Sequence, residues 1–372
     1  MKLLGIHKVS LLFFLIWLQP SKSCPCKVSS LCNPIKNTTR QEIFVFSLQN
    51  KPSSWEKFDW DKVTTVVTVG YISQELMCLA HSYGSRVVLI DQMPVSNMTN
   101  PSDRTNWINE QLDIVKTNFY DGINIDFEDV ILQNQTDVRK ALTSLVMETT
   151  AAFKSVSPFY QVTVDVAWSP DCIDLRCYDN VGLAEASDFL FVMAYDEQSQ
   201  IFGDCTARAN SDYYMTEKGI FGYLKLGIKP DKLVLGVPWY GYDYPCETLS
   251  KDDVCTIKQV PFRGVNCSDA AGHQIDYRAI YPLMINGSTG GRKWDSAALS
   301  PYFNYLDKAT QQMHQVRFDD PISLRLKYEV AEMFNLRGVG TWNIDCLDFS
   351  DASYAKEQTS LMFKAFPNYP RS

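Results

Sequence analysis

The stretch Tyr120-Asp-Gly-Ile-Asn-Ile-Asp-Phe-Glu128 decides how this chain is read. Side chains of a strand point alternately to its two faces. Ile123, Ile125 and Phe127 therefore share one face, and Asn124, Asp126 and Glu128 the other. An apolar face packs against helices. A row of three polar groups is costly to bury unless its members hydrogen-bond one another. A fold does not need such a row, whereas an active site does. Two carboxyls two residues apart on one face repel when both are ionised, so one of them should hold its proton more tightly. A protonated carboxyl is what a glycosidase uses to protonate a leaving oxygen. A structural acidic cluster or a divalent-metal site could use the same residues, because ion networks also perturb pKa values. The four histidines, His7, His81, His273 and His314, are not adjacent to these acids in sequence. That counts against a histidine-based metal site or triad.

Working outward, similar short apolar runs recur. They are 43–46, 64–69, 86–90, 122–127, 162–166, 189–193, 233–237 and 338–342. Helical periodicity lies between several of them. Trp107, Ile108, Leu112, Val115 and Phe119 form one face. Leu142, Leu145, Val146, Thr149 and Phe153 form a second, and Leu324, Leu326, Val330, Met333 and Phe334 a third. Strands alternating with helices imply a parallel sheet. The 372 residues fit two domains of ~150 residues or one α/β barrel of ~250 with insertions. Eight strands favour closure, so the expected fold is α/β, a (β/α)8 TIM barrel. Residues 241–321 break the pattern and predict an elaborated loop or small insertion before strand eight. In a barrel, Asn124, Asp126 and Glu128 climb toward the C-terminal rim, where barrel enzymes do their chemistry.

Composition narrows the class further. Hydrophobic residues make up 45% and charged residues 21%, too apolar for disorder. A formal net charge of -8 excludes nucleic-acid binding through a general basic surface. Lys2 and Lys8 precede or flank the run Ser10–Leu18, which small residues follow up to Ser23. Residues 1–23 thus read as a secretory signal, with a buried helix as the rival, and 24–372 as a single catalytic domain. No later segment is apolar and long enough for a membrane helix. Asn37, Asn97, Asn134, Asn266 and Asn286 open glycosylation sequons. The eleven cysteines are disulfide candidates in a secreted chain. Cys172 with Cys177, and Cys246 with Cys255, are spaced for local staples. Cys24, Cys26 and Cys32 cluster without zinc-ribbon spacing, so no metal site is read. The odd total requires at least one unpaired thiol, and Cys78, in an apolar stretch, is the expected one.

Asp121-Gly-Ile-Asn-Ile-Asp-Phe-Glu128 resembles the Asp-Gly-x-Asp-x-Asp-x-Glu signature of family 18 glycoside hydrolases, the chitinase family. Met193-Ala-Tyr-Asp196, Gly236-Val-Pro-Trp-Tyr-Gly241 and Gly338-Val-Gly-Thr-Trp-Asn343 resemble the family's elements at strands six, seven and eight. The likeness covers nearly all of the mature chain and is greatest to a lysosomal member. Asn124 stands where chitinases often carry Asp, so the coupling between the acids should differ from theirs.

The resemblance implies a retaining, substrate-assisted mechanism. Glu128 would be the acid and then the base. Asp126 would orient the substrate's acetamide N–H, and Tyr195 would bond its carbonyl oxygen. Trp342, Asp196, Met193 and Trp239 would bind substrate, with Asp121 and Asn124 supporting. Separately, the absence of a nucleotide fingerprint or metal motif in the sequence leads us to expect no cofactor, and a monomer is expected although the sequence leaves the oligomeric state open. The resemblance also implies N-acetylglucosamine oligosaccharides as partners and cleavage of the reducing-end GlcNAc from chitobiose-core oligosaccharides in the lysosome. The alternatives are a secreted extracellular endochitinase and a non-catalytic chitinase-like lectin. A lectin of this kind usually lacks the acid, which is present here as Glu128.

Overall fold

The computed structural model describes residues 23–198 and 203–370. Apart from Ser23, the expected signal segment lies outside the described residues. Eight parallel strands close into a barrel. The first seven are β1 (Glu42–Ser47), β2 (Thr65–Thr68), β3 (Arg86–Asp91), β4 (Gly122–Ile125), β5 (Gln161–Ala167), β6 (Phe189–Met193) and β7 (Leu233–Pro238). An insertion then carries β8 (Tyr240–Pro245), β9 (Thr248–Leu249), β10 (Cys255–Thr256), β11 (His273–Asp276), β12 (Lys293–Asp295), β13 (Ser300–Asp307) and β14 (Gln312–Arg317). The barrel closes with β15 (Gly338–Trp342), which pairs with both β7 and β1. All eight expected strands are present.

Aromatic side chains fill the lower barrel. Phe44 packs on Phe189 and Phe191, with ring centres 5.5 and 5.6 Å away. Between β1 and β6 in the barrel, β15 and β7 present Gly340 and Gly236. A Cβ at Gly236 would lie 2.2 Å from the Phe191 ring, and one at Gly340 would lie 2.2 Å from the Phe44 carbonyl oxygen. Large residues on two strands are thus matched by glycines on two others, as close packing requires.

The outer helices follow the expected periodicity with one adjustment. Helix Pro101–Asn118 starts at Asn100, whose side chain accepts the Ser102 N–H, and has Pro at its first turn. It stops where Phe119 turns left-handed, at φ 58°. Helix Thr136–Val156 buries Leu142, Leu145, Val146, Thr149 and Phe153. In helix Pro321–Met333 the buried face runs through Leu324, Lys327, Tyr328 and Val330, while Met333 is exposed. Buried Lys327 pairs with Asp319, so a charge occupies a face that periodicity alone assigns to apolar residues.

The insertion is more ordered than an elaborated loop. Its core is a five-stranded antiparallel sheet in the order β11-β8-β14-β13-β12, backed by helix Tyr277–Gly287. Disulfides Cys246–Cys255 and Cys172–Cys177 form as their spacing suggests. The expectation for Cys78 is overturned: it bonds Cys26, while Cys24 bonds Cys32 and Cys205 bonds Cys267. Cys78 lies on helix Gln74–Ser82, against which the N-terminal segment packs. Among the described residues the free thiol is Cys346, buried behind β15. No helix among the described residues is long and apolar enough to cross a membrane.

Candidate active site

A cavity of about 240 Å³ opens at the C-terminal end of the barrel strands. Asp126 and Glu128 enter it from the chain just beyond β4, Asp165 and Ala167 from β5, and Met193 from the end of β6. Tyr195 and Asp196 follow β6, and Trp342 ends β15. The polar row quoted at the outset does face inward, while Ile123, Ile125 and Phe127 are buried on the outer face. The Tyr178 hydroxyl donates to the carbonyls of Phe127 and Asp129, which pins the segment carrying Glu128.

The acids form a chain with too few cations. Asp165 is fully buried, and the Asn124 amide donates to its Oδ1 at 2.8 Å and to the Thr163 hydroxyl at 2.9 Å. Burial, and then the charge of Glu128, push the Asp126 pKa up to about 7. Burial and the neighbouring Asp126 push Asp165 well above the carboxylate range. An ionised Asp126 thus makes Asp165 hold its proton more tightly. Asn124 therefore does not simply remove a negative charge from the row: β5 supplies a carboxyl in Asp165, and Asn124 holds it. Sequence reasoning missed Asp165. Its signal was an acid on the same inward alternation as Thr163 in Val162-Thr-Val-Asp-Val166.

Asp196 is held by a second network. Its backbone is left-handed at φ 55°, an uncommon state for a non-glycine residue and one that clusters at functional sites. Its Oδ1 accepts from the hydroxyls of Tyr240 (2.6 Å) and Tyr242 (3.1 Å), both on β8. Burial, then the charge of Asp269, push its pKa up to about 7. Tyr195 packs edge-on against Tyr240. Burial pushes its phenol well above the usual range, so it stays a hydrogen-bond donor. Trp342 lies against Phe46, ring centres 5.1 Å apart, and forms an apolar wall.

Two expected site residues lie elsewhere. Trp239 is fully buried: its ring packs on Phe363 and Phe366, and its N–H donates to the Tyr328 hydroxyl at 3.3 Å. It joins the end of β7 to the C-terminal helix Ser353–Ala365 and does not line the cavity. Asp121 sits at the opposite end of the barrel, accepting N–H groups of Ile35 and Val87 and facing His81 at 2.7 Å. Conversely, the cavity wall includes Trp168, Arg176 and Gln274, which sequence reasoning did not single out. Arg176 holds Glu128, Nη2 to Oε2, at 2.6 Å. Gln274 comes from β11 of the insertion and bonds the Tyr242 hydroxyl.

The barrel and its acid-lined cavity define a glycoside hydrolase of the (β/α)8 class. The model of the glycosyl hydrolases family 18 matches residues 93–346, and the chain belongs to that family. It is 48% identical to mouse di-N-acetylchitobiase over 98% of this chain and 99% of that one. It is 49% identical to the human protein of the same name, over 92% and 87%. Among solved structures, a class V chitinase from Nicotiana tobaccum, in complex with NAG4, superposes with a TM-score of 0.69 at 14% identity, over 88% of this chain and all of that one. A family 18 chitinase from Cycas revoluta in complex with (GlcNAc)3 gives 0.66 at 17%, over 86% and 99%.

Proposed function

We propose that the chain hydrolyses GlcNAc-β-1,4-GlcNAc linkages and releases the reducing-end GlcNAc from chitobiose-core oligosaccharides. The observation that carries this reading is the convergence of Asp126, Glu128, Tyr195 and Trp342, from three strand ends, on one small cavity. The names of its relatives point the same way. In this reading the reacting sugar rests on Trp342. Glu128 protonates the glycosidic oxygen. The substrate's acetamide oxygen attacks the anomeric carbon and forms an oxazolinium ion, with retention after hydrolysis. Asp126 accepts the acetamide N–H, and its carboxylate offsets the positive charge that develops. Tyr195 donates to the acetamide carbonyl oxygen. Glu128, now ionised, takes a proton from the incoming water.

The proposed setting is the lysosome, reached through the secretory pathway. Asn97, Asn134, Asn266 and Asn286 are exposed and Asn37 is half-exposed, so all five sequons are accessible to glycan addition. Five disulfides suit an oxidising route.

The test is hydrolysis of free chito-oligosaccharides and a chitobiose-core glycan from about pH 4, near the ordinary carboxylate value, to about 7, where Asp126 titrates. Glu128→Gln should lose roughly 10²–10⁴-fold in kcat, the usual worth of a general acid and base, while keeping its melting temperature. Sugar binding without cleavage by the wild type would favour a lectin and sink the enzyme reading.

A further inference from the structure

An ion chain crosses the barrel rim beside Glu128. Arg176 reaches Glu128 Oε2 at 2.6 Å and Asp174 Oδ2 at 2.9 Å. Asp174 Oδ2 also accepts from Arg263 Nη1 at 2.5 Å, and the same nitrogen lies 3.4 Å from the Glu128 carbonyl oxygen. Asp174 and Arg176 belong to the loop stapled by Cys172–Cys177, after β5. Arg263 belongs to the insertion, 89 residues away from Asp174.

Both halves of this bridge are held in uncommon backbone states. Phe262 and Val265 exchange two backbone hydrogen bonds, of 3.1 and 2.9 Å. The two residues between them, Arg263 and Gly264, have φ of 39° and 96°. A two-residue turn with positive φ at both centres normally carries Asn-Gly or Gly-Gly; here it carries an arginine. Across the bridge, Cys172, Asp174 and Leu175 have φ of 53°, 57° and 58°. The turn is also fixed at its base. Ser268 N–H donates to the Val260 carbonyl, and Cys267 is bonded to Cys205. Asp174 is buried, and its second oxygen, Oδ1, has no hydrogen-bond partner. Such strain is maintained only where the surroundings over-determine it, and it concentrates at functional sites.

The place of the bridge suggests its use. The reacting sugar lies on Trp342 beside Asp126, and Glu128 protonates the bond to the leaving sugar. Arg263 stands at the rim of the cavity's acid, its guanidinium against the Glu128 backbone carbonyl and the Asp174 carboxylate. The cavity of about 240 Å³ is also smaller than the roughly 300–1,000 Å³ usual for ligand clefts. We propose that the Arg263 turn and the Cys172–Cys177 loop form a strap that closes the leaving-sugar side of Glu128 and admits only one sugar there. Arg263, Asp174 and Arg176 are then positioning and specificity residues. This proposal rests on the chitobiase-type reading above and gives it a structural cause: a one-sugar leaving side means that cleavage releases the reducing-end monosaccharide. The rest of the oligosaccharide extends from the other side.

The variant that tests the strap is Arg263→Gly. Glycine is at ease at positive φ, so the turn keeps its shape and loses only the guanidinium. Chito-oligosaccharides of several lengths are digested in heavy-oxygen water. The label enters the new reducing end, so the unlabelled product is the leaving fragment. Wild type should release unlabelled GlcNAc alone. In Arg263→Gly, and in Asp174→Ala as a second route to the same opening, unlabelled disaccharide should rise about ten-fold relative to the monosaccharide, a ~1.4 kcal/mol change between the two modes. KM for the longer substrates should fall while that for chitobiose holds. A monosaccharide-only pattern in a folded Arg263→Gly overturns the strap and leaves the glycosidase reading standing. Internal cuts by the wild type also overturn the strap. A wild type that cleaves nothing overturns the enzymatic reading, and the strap with it.

Discussion

The two ends of the barrel both bury carboxyl groups, but they treat them oppositely. At the N-terminal end, Glu42 is fully buried and surrounded by compensating groups. Arg86 lies at 3.4 Å and Arg337 at 3.8 Å, and Thr64, Thr65 and Gln161 donate hydrogen bonds. Burial pushes its pKa up, yet the charges of Arg86, Arg40 and Arg337 and the Thr64 bond bring it below the usual value. At the C-terminal end, Asp126, Asp165 and Asp196 face other acids, and their pKa values rise. Arg176 and Arg263 are cations at this end, and they are spent on Glu128 and Asp174. The lower end is therefore built for stability. The upper end tolerates an unfavourable arrangement, as expected where binding and chemistry are performed.

The largest effect that would break this contrast is at the lower end. Glu42→Gln leaves Arg86 buried without its counter-charge, which should cost ~3–5 kcal/mol of stability without touching kcat. Denaturant unfolding with parallel kinetics checks this. A stability loss well below 1 kcal/mol, which is typical of a surface pair, would mean that the two ends are not different in kind.

Asp126→Asn attacks the other end. It should lower kcat by ~10²–10³-fold, the usual worth of one preorganised group at the reacting charge, and it should stabilise the fold at neutral pH. The sign follows from linkage. Asp126 binds its proton up to about pH 7 in the folded chain but only to about 3.9 when unfolded. The native state therefore loses stability as pH rises through that window, and asparagine removes the loss. The melting-temperature gain over wild type should be larger at neutral pH than near the unfolded value. A gain that does not grow with pH would remove Asp126 from the strained set.

How much of this was legible in sequence depends on where each partner lies along the chain. The eight barrel strands were readable because each is a local apolar run. Glu128, Asp126, Tyr195 and Trp342 were readable because each sits in a short motif at a strand end. Asp165 escaped because its inward direction is local information, whereas its proximity to Asp126 depends on β5 pairing beside β4. Arg263 escaped for a stronger reason: its partner Asp174 is 89 residues away, on a different loop. Trp239 misled because an aromatic just past a strand end can turn inward to the cavity or outward to a helix, and only the packing of Phe363 and Phe366 decides. Cys78 misled because an apolar setting suits a free thiol and a buried disulfide equally, and its partner Cys26 is 52 residues distant.

The smallest expected effect concerns the lower end and has the opposite sign from a carboxylate's loss in acid. His81 Nε2 lies 2.7 Å from Asp121 Oδ2, and its Nδ1 lies 2.5 Å from the Leu31 carbonyl oxygen. A neutral imidazole has one N–H and cannot donate to both acceptors, whereas the imidazolium can. Burial and Arg86 push the His81 pKa down, but Asp121 and the two hydrogen bonds outweigh them and raise it. A raised histidine contributes stability that is complete below its unfolded pKa, about 6.5, and fades as pH climbs through the folded value. Because Leu31 lies within the segment fastened by Cys24–Cys32 and Cys26–Cys78, acid should tighten this clamp. The melting-temperature gap between wild type and His81→Gln should be constant below about pH 6 and narrow above 6.5. A gap that widens with rising pH would show that His81 is neutral in the folded chain.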